Sequence, residues 1–316
     1  MKAAWSWNLP TDTEREQREL VALAHSTGFD TLIIRNPTEF MVEEGHEFGI
    51  KVIAIVYPYD AESFGARFQD CFQKILPEEE QIQKAAGKLD MTRTYRWYQV
   101  VQNRIPLCFE KLESQEELKR RVTKALEIAD GIAYDGFGFA NHYGCFCERC
   151  EEIREARQAA QPDQDPVNVM AQMSEDSLVG ISEVLYDHAQ QVKKNAIVTN
   201  HLWPPFRPNP YYGHRLRMDY CSQTISWFHK PSWSLERVAL EAKEMKRLEN
   251  PQRNRFAPFI GVFHDPHLVR SEERIEQEMR IALEYGEGNM IFCILKALKE
   301  HPNLAKVVAS ILKDSE

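Results

Sequence analysis

No apolar run in this chain approaches the roughly 20 residues that a membrane span requires. The opening residues, Met1-Lys2-Ala3-Ala4-Trp5-Ser6-Trp7, are too short to serve as a signal peptide, and the residues after them are too polar. Positive charge is also scarce: 39 Lys and Arg stand against 48 Asp and Glu, a formal net charge of -9. The basic residues are scattered and form no stripe, which argues against nucleic acid or an anionic membrane as partner. Internal repeats and low-complexity tracts are missing, as are β-hairpin signals between the apolar runs. No Gly-x-Gly-x-x-Gly turn follows the first strand, which counts against an open dinucleotide-binding sheet. Neither His-x-His nor His-Glu-x-x-His occurs, so no familiar histidine metal motif is present. Cysteine is sparse and odd in number, seven in all, with three crowded into positions 145–150. That pattern suits a reducing compartment and a metal site better than a disulfide framework, so a cytoplasmic protein is expected.

What is present is an alternation of short apolar runs and amphipathic helical stretches. Strands are predicted at Lys2–Trp7, Thr31–Arg35, Lys51–Tyr57, Ile132–Phe137, Ala196–Asn200, Thr224–Phe228, Ala257–Phe263 and Asn289–Leu295. A helical pattern follows each strand, the first capped near Thr11 or Thr13 and stopped at Gly28. The second, third, fifth and eighth runs are apolar almost throughout, as parallel strands covered on both faces must be. The expected fold is therefore α/β, a (β/α)₈ TIM barrel forming a single domain over residues 1–316. A stretch of about 58–113 after the third strand is too long for an ordinary connection and reads as an inserted lid or cleft wall.

Barrel enzymes carry their chemistry at the C-terminal strand ends. There the sequence puts Trp5 and Trp7, Arg35, Tyr57, Asp135, Asn200, His201 and Trp203, Trp227, and His264-Asp265. Five of the six tryptophans (Trp5, Trp7, Trp203, Trp227, Trp233) fall at or just beyond strand ends. Flat aromatic faces beside Asn, His and Arg suit a saccharide, whose C–H faces stack and whose hydroxyls hydrogen-bond. Asp135 closes the fourth strand and is the expected nucleophile or base. Asp265 is the preferred second acid, ahead of Asp60 and of Asp219, which reads as loop. No glutamate ends the fourth or seventh strand, a departure from the commonest glycosidase layout.

Cys145-x-Cys147-x-x-Cys150 offers three thiolates within one turn, and tetrahedral zinc takes four ligands. Cys108, in the loop before the next helix, is the expected fourth, with His142 as the alternative. A closed four-thiolate site would be structural. Cys71, Cys221 and Cys293 read as packing residues. A lone upstream cysteine, a strand ending in polar residues, then Cys-x-Cys-x-x-Cys opening a helix resembles the zinc site of family 42 β-galactosidases. The resemblance covers Cys108 and Gly131–Arg154, together with the barrel layout. It implies structural zinc on Cys108, Cys145, Cys147 and Cys150 beside a carbohydrate cleft. Those enzymes carry Asn-Glu after the fourth strand where this chain has Asp135-Gly136, so the resemblance does not extend to β-galactosidase activity.

The sequence thus leads to a glycoside hydrolase-like barrel acting on a small-molecule or oligosaccharide substrate. Two other readings stand beside it. One is a saccharide-binding barrel without turnover; the other is a metal-dependent hydrolase or isomerase using His201 and His264. No heptad or apolar stripe declares an oligomer interface.

Overall fold

In the computed structural model the described residues are 1–7, 13–58, 71, 73–74, 107–135, 145–202, 213–226, 232–262 and 270–315, without the side chains of Val167 and Ala171. Eight strands close into a parallel barrel in sequence order. They are β1 (Lys2–Ser6), β2 (Thr31–Ile34), β3 (Lys51–Val56), β4 (Gly131–Asp135), β5 (Ile197–His201), β6 (Tyr220–Ser226), β7 (Arg255–Gly261) and β8 (Met290–Cys293). Helices α1 (Glu14–Thr27), α2 (Glu39–Glu47) and α3 (Leu112–Leu126) cover the first half. The second half has α4 (Glu148–Ala160), α5 (Pro166–Val192), α6 (Leu235–Arg247), α7 (Glu272–Tyr285), α8 (Leu295–Glu300) and α9 (Pro302–Asp314). Most of the expected insertion, residues 59–70, 72 and 75–106, lies outside the described residues.

Local chemistry accounts for where the elements start and stop. Thr13 and Glu16 form a reciprocal capping box at the head of α1, and Gly28 closes that helix in the left-handed region at φ 96°. Ser234 and Ser271 cap α6 and α7 by accepting the backbone N–H of Arg237 and Arg274. At the N-terminal face of the barrel, three aspartates each precede an even strand and bind the start of the odd strand before it. Asp30 accepts from Lys2 N at 2.9 Å, Asp130 from Val52 N at 2.9 Å and Asp219 from Val198 N at 2.7 Å. Asn289, just before β8, likewise receives the terminal amine of Met1 at 2.8 Å. Gly131 must be glycine because a Cβ there would lie 2.2 Å from the Ile197 carbonyl oxygen.

Two elements differ from the sequence reading. β6 begins at Tyr220, four residues before the expected start, since Tyr-Cys-Ser-Gln is too polar to read as a buried strand. The last strand ends at Cys293, two residues before the expected Leu295, and Leu295–Glu300 forms a short helix that the sequence reading did not assign. Asp219 consequently lies at the N-terminal end of β6, at the opposite end of the barrel from Asp135, which removes it as its partner acid.

Strand pairing decides which side chains share the barrel interior. Trp5 is level with Ile33 and Cys293, Ile55 with Ala133, and Asp135 with His201. Thr224 is level with Phe259, and Phe259 with Ile291. Alternation along each strand then sends Tyr134 and Asn200, paired with each other, to the opposite face.

Candidate functional site

Asp135 is the last residue of β4 and is 9% exposed at the mouth of the barrel interior. Two neighbours address its carboxylate. The Trp7 indole donates from Nε1 to Oδ2 at 2.7 Å, and His201 Nδ1 lies 3.5 Å from Oδ1. The other ring nitrogen of His201, Nε2, is 2.9 Å from the Thr224 hydroxyl. A continuous polar chain, Trp7–Asp135–His201–Thr224, thus crosses the mouth from β1 to β6. His201 is stacked on Phe259 with ring centres 3.8 Å apart, and Trp5 lies 5.5 Å from it on another side. Burial lowers the His201 pKa from its usual value, against the opposing pull of Asp135, and favours the neutral ring. Cys293, level with Trp5 on β8, stays a thiol because burial and then the Asp135 charge push its pKa up.

The expected site residues that the structure describes divide into three groups. Asp135, His201 and Trp7 come together. Trp5 and Asn200 do not join them at an accessible surface. Trp5 has no exposed area and packs 5.8 Å below Trp7, edge to face, so its ring supports the site without presenting a face to solvent. Asn200 is equally buried, and its Oδ1 accepts from Ser222 N at 2.9 Å. Arg35 and Tyr57 stack on each other at 5.7 Å and line a groove of about 470 Å³ on the barrel flank, with Val56, Arg121 and Lys124. Asp265, His264, Trp203 and Trp227 lie outside the described residues, as do Asp60 and His142. Thr224 and Phe259, which hold His201 from two sides, were not singled out from the sequence; the polar run through β6 was the available signal.

The four cysteines form a separate cluster where α4 begins. Cys108, Cys145, Cys147 and Cys150 are all buried, and their sulfur atoms lie within 4.8 Å of one another. Cys108 Sγ is 3.8 Å from Cys147 Sγ and 3.5 Å from Cys150 Sγ. A tetrahedral ion with bonds of about 2.3 Å to sulfur would set such edges near roughly 3.8 Å. The Cys145 sulfur also accepts two backbone N–H groups, from Lys74 at 3.3 Å and Cys147 at 3.4 Å, which suits a thiolate. Hydrogen bonds from the Cys108 and Cys150 thiols lower the Cys145 pKa, while bonds to its three neighbours raise that of Cys108. Four buried thiols therefore cannot all ionise unaided, and a cation is what would let them. The cluster can hold a metal ion, and Met173 and Ile153 wall it off. Cys71 does more than pack: its carbonyl accepts from Cys108 N at 2.8 Å and from the Ser114 hydroxyl at 3.0 Å.

The sequence matches no protein-family model and no curated protein. Solved structures do resemble the fold. The glycoside hydrolase domain of PgaB (BpsB) from Bordetella bronchiseptica superposes with a TM-score of 0.71 at 9% identity, covering 98% of each chain. A β-galactosidase from the psychrophilic Marinomonas ef1 gives 0.68 at 13% identity, covering 99% of this chain and 59% of that one. A GH42 β-galactosidase from G. stearothermophilus gives 0.65 at 10% identity, with 99% and 56% covered. The chain thus spans little more than half the length of these galactosidases and nearly all of the PgaB domain, and it has the closed eight-stranded barrel of glycoside hydrolases.

Proposed function

We propose that this protein is a carbohydrate-active barrel, glycoside hydrolase-like, with Asp135 at its centre and a structural zinc on Cys108, Cys145, Cys147 and Cys150. The observation that carries the reading is the Trp7–Asp135–His201–Thr224 chain at the mouth of a closed barrel. Asp135 is the one carboxylate among the described residues at the C-terminal strand ends. Trp7 fixes one of its oxygens and leaves the His201 side for the reacting centre. There Asp135 acts as nucleophile, bonding to the anomeric carbon as the glycosidic C–O bond breaks, or as base toward a water. Asp265 supplies the proton to the departing oxygen. His264 contacts hydroxyls, while His201, buried between Asp135 and Thr224, orients the carboxylate; Trp7, Trp203 and Trp227 form the stacking surface, and Arg35 and Tyr57 stand apart on the flank. Trp5, fully buried, braces Trp7 from below, and Asn200, on the other face of β5, ties β5 to β6 through Ser222 N.

Zinc fits the cysteine cluster on donor chemistry: four buried sulfurs within 4.8 Å of one another, one of them facing two backbone N–H groups as a thiolate would. Bound there it would have no open position, and it would tie Lys74 and the 107–111 segment to the head of α4. Its contribution is to the shape of the cleft wall.

The test is a turnover screen against aryl α- and β-glycosides and natural oligosaccharides, with Asp135→Asn beside the native protein. Hydrolysis lost in Asp135→Asn supports the assignment; hydrolysis that survives it removes Asp135 from the centre. A second reading, a saccharide-binding barrel without turnover, is favoured by the lack of another strand-end acid among the described residues. Binding without hydrolysis across the whole screen would establish it.

A further inference from the structure

The groove on the barrel flank gathers more positive charge than its neighbours balance. Arg35 and Asn36 reach it from the end of β2, and Arg120, Arg121 and Lys124 from α3. Among the described residues no carboxylate lines it. Glu117, one turn back on α3, answers two of these cations at once. Arg120 donates to both of its oxygens, at 2.6 and 2.7 Å, and Arg121 Nε donates to Oε1 at 2.9 Å. Lys119, on the same helix but outside the groove, is paired with Glu116 at 2.8 Å. Arg35 and Lys124 have no ion pair among the described residues, and the Arg35 guanidinium lies over the Tyr57 ring. Four cations thus meet one carboxylate, on a chain whose formal net charge is -9.

The rest of the groove is apolar. Ile55 is level with Ala133 in the barrel interior, so Ala54 and Val56 on either side of it face outward, and Ala125 and Ile128 join them. Arg121 is fixed against this base, its side chain 13% exposed and its Nη1 donating to the Tyr57 carbonyl at 2.7 Å. Arg35, Arg120 and Lys124 are exposed. The volume, about 470 Å³, falls within the roughly 300–1,000 Å³ of small-molecule sites. An apolar base beneath surplus positive charge suits an anion with an organic body. A phosphate group brings nearly two negative charges and three acceptor oxygens, enough for a guanidinium and an ammonium together. We propose that this groove binds a phosphorylated small molecule, its phosphate held by Arg35 and Lys124 in the field of Arg120 and Arg121, its organic part on Ala54, Val56 and Ile128. A sugar phosphate and a nucleotide share that chemistry. The groove lies on the helix side of β3, whereas Asp135 faces the barrel interior at the end of β4, so the proposal does not rest on the saccharide reading.

The test is a calorimetric titration of the native protein with glucose 6-phosphate, AMP and ADP, beside glucose, adenosine and inorganic phosphate. At least one of the organic phosphates is expected to bind about ten-fold or more tightly than both its unphosphorylated counterpart and inorganic phosphate. That affinity should weaken several-fold as salt rises from about 50 to about 200 mM. The tighter of the sugar phosphate and the nucleotides identifies the source. Lys124→Gln breaks no ion pair among the described residues and should melt as the native protein does. In it, and separately in Arg35→Gln, the preference for the phosphate should fall about five-fold or more. Equal affinity for phosphorylated and unphosphorylated probes, or no binding of either, would overturn the proposal. So would inorganic phosphate binding as tightly as every organic one, since the groove would then hold counter-ions alone. A preference that persists in both folded variants would overturn it too, by assigning the phosphate to other cations.

Discussion

Asp135 and His201 take their character from their neighbours. The Trp7 N–H is a neutral donor on a nearly buried carboxylate, a bond whose loss typically costs about 1.5–3 kcal/mol. Trp7→Phe keeps most of the stacking area and deletes the donor. It is expected to lower melting temperature by a few degrees and turnover about 10- to 100-fold at temperatures where the variant stays folded, as measured on whichever glycoside the native protein hydrolyses best. A variant with native turnover would mean that Trp7 only packs. His201 gives a prediction in pH. Burial holds its native pKa below the ordinary 6.5, so below that pH the unfolded chain takes a proton that the native ring refuses. Stability should therefore fall as pH drops through about 6.5, by at most about 1.4 kcal/mol per pH unit from this one group. His201→Gln keeps a polar contact for Thr224 and removes the titration. Its melting temperature between pH 7.5 and 5.5 should fall less than that of the native protein, and identical slopes would count against a neutral buried ring. At this scale the sequence told only part of the story. Asp135 and His201 were legible as strand-end residues, but which of Asn200 and His201 faces inward was not. A parallel strand buried on both faces is apolar on both, so the alternation that would reveal its register is not written in it.

Strand starts are held by side chains that a hydrophobicity pattern passes over. Asp30, Asp130 and Asp219 each sit one residue before an even strand and receive a backbone N–H from the neighbouring odd strand. Asp130 also meets the His46 ring at 2.9 Å. Asp130→Ala would leave the Val52 N–H, largely shut off from water, without its acceptor and should cost about 1–3 kcal/mol. Asp130→Asn keeps an acceptor oxygen and should recover most of that in chemical denaturation; equal losses from the two would show that charge, not the bond to Val52, is what matters. Helix boundaries were readable because Thr13, Ser234, Ser271 and Gly28 act locally, through caps and a left-handed turn. β6 was not, because Ser222, Gln223 and Thr224 are polar yet fully buried. Their place is fixed by partners far along the chain, Asn200 and His201, which no window of β6 contains.

Across the whole molecule, the barrel and the cysteine cluster are two hydrophobic units of different kinds. The barrel core is continuous from β1 to α9, so it has its own means of folding. The cluster holds four cysteines and Met173, too little apolar matter to order the segments that meet there. Cys108 comes from before α3, Cys145 to Cys150 from the head of α4, and Lys74 reaches the same point through its N–H to Cys145 and its carbonyl to Phe146 N at 2.7 Å. A bound zinc would lend its affinity to that junction, since it binds the assembled ligands and not the dispersed ones. Metal analysis should accordingly find close to one zinc per chain, retained in His201→Ala. Cys147→Ser should lose it and melt at lower temperature, because a hydroxyl is a poor replacement for a thiolate. Hydrogen exchange separates this from general unfolding: with the metal removed, the amides of Lys74, Cys108 and Cys147 should exchange faster while those of β4 and β8 keep their protection. A metal-free native protein with those three amides still protected would show that hydrogen bonds and packing alone hold the junction. Loss of protection throughout the barrel would show that the two units fold as one.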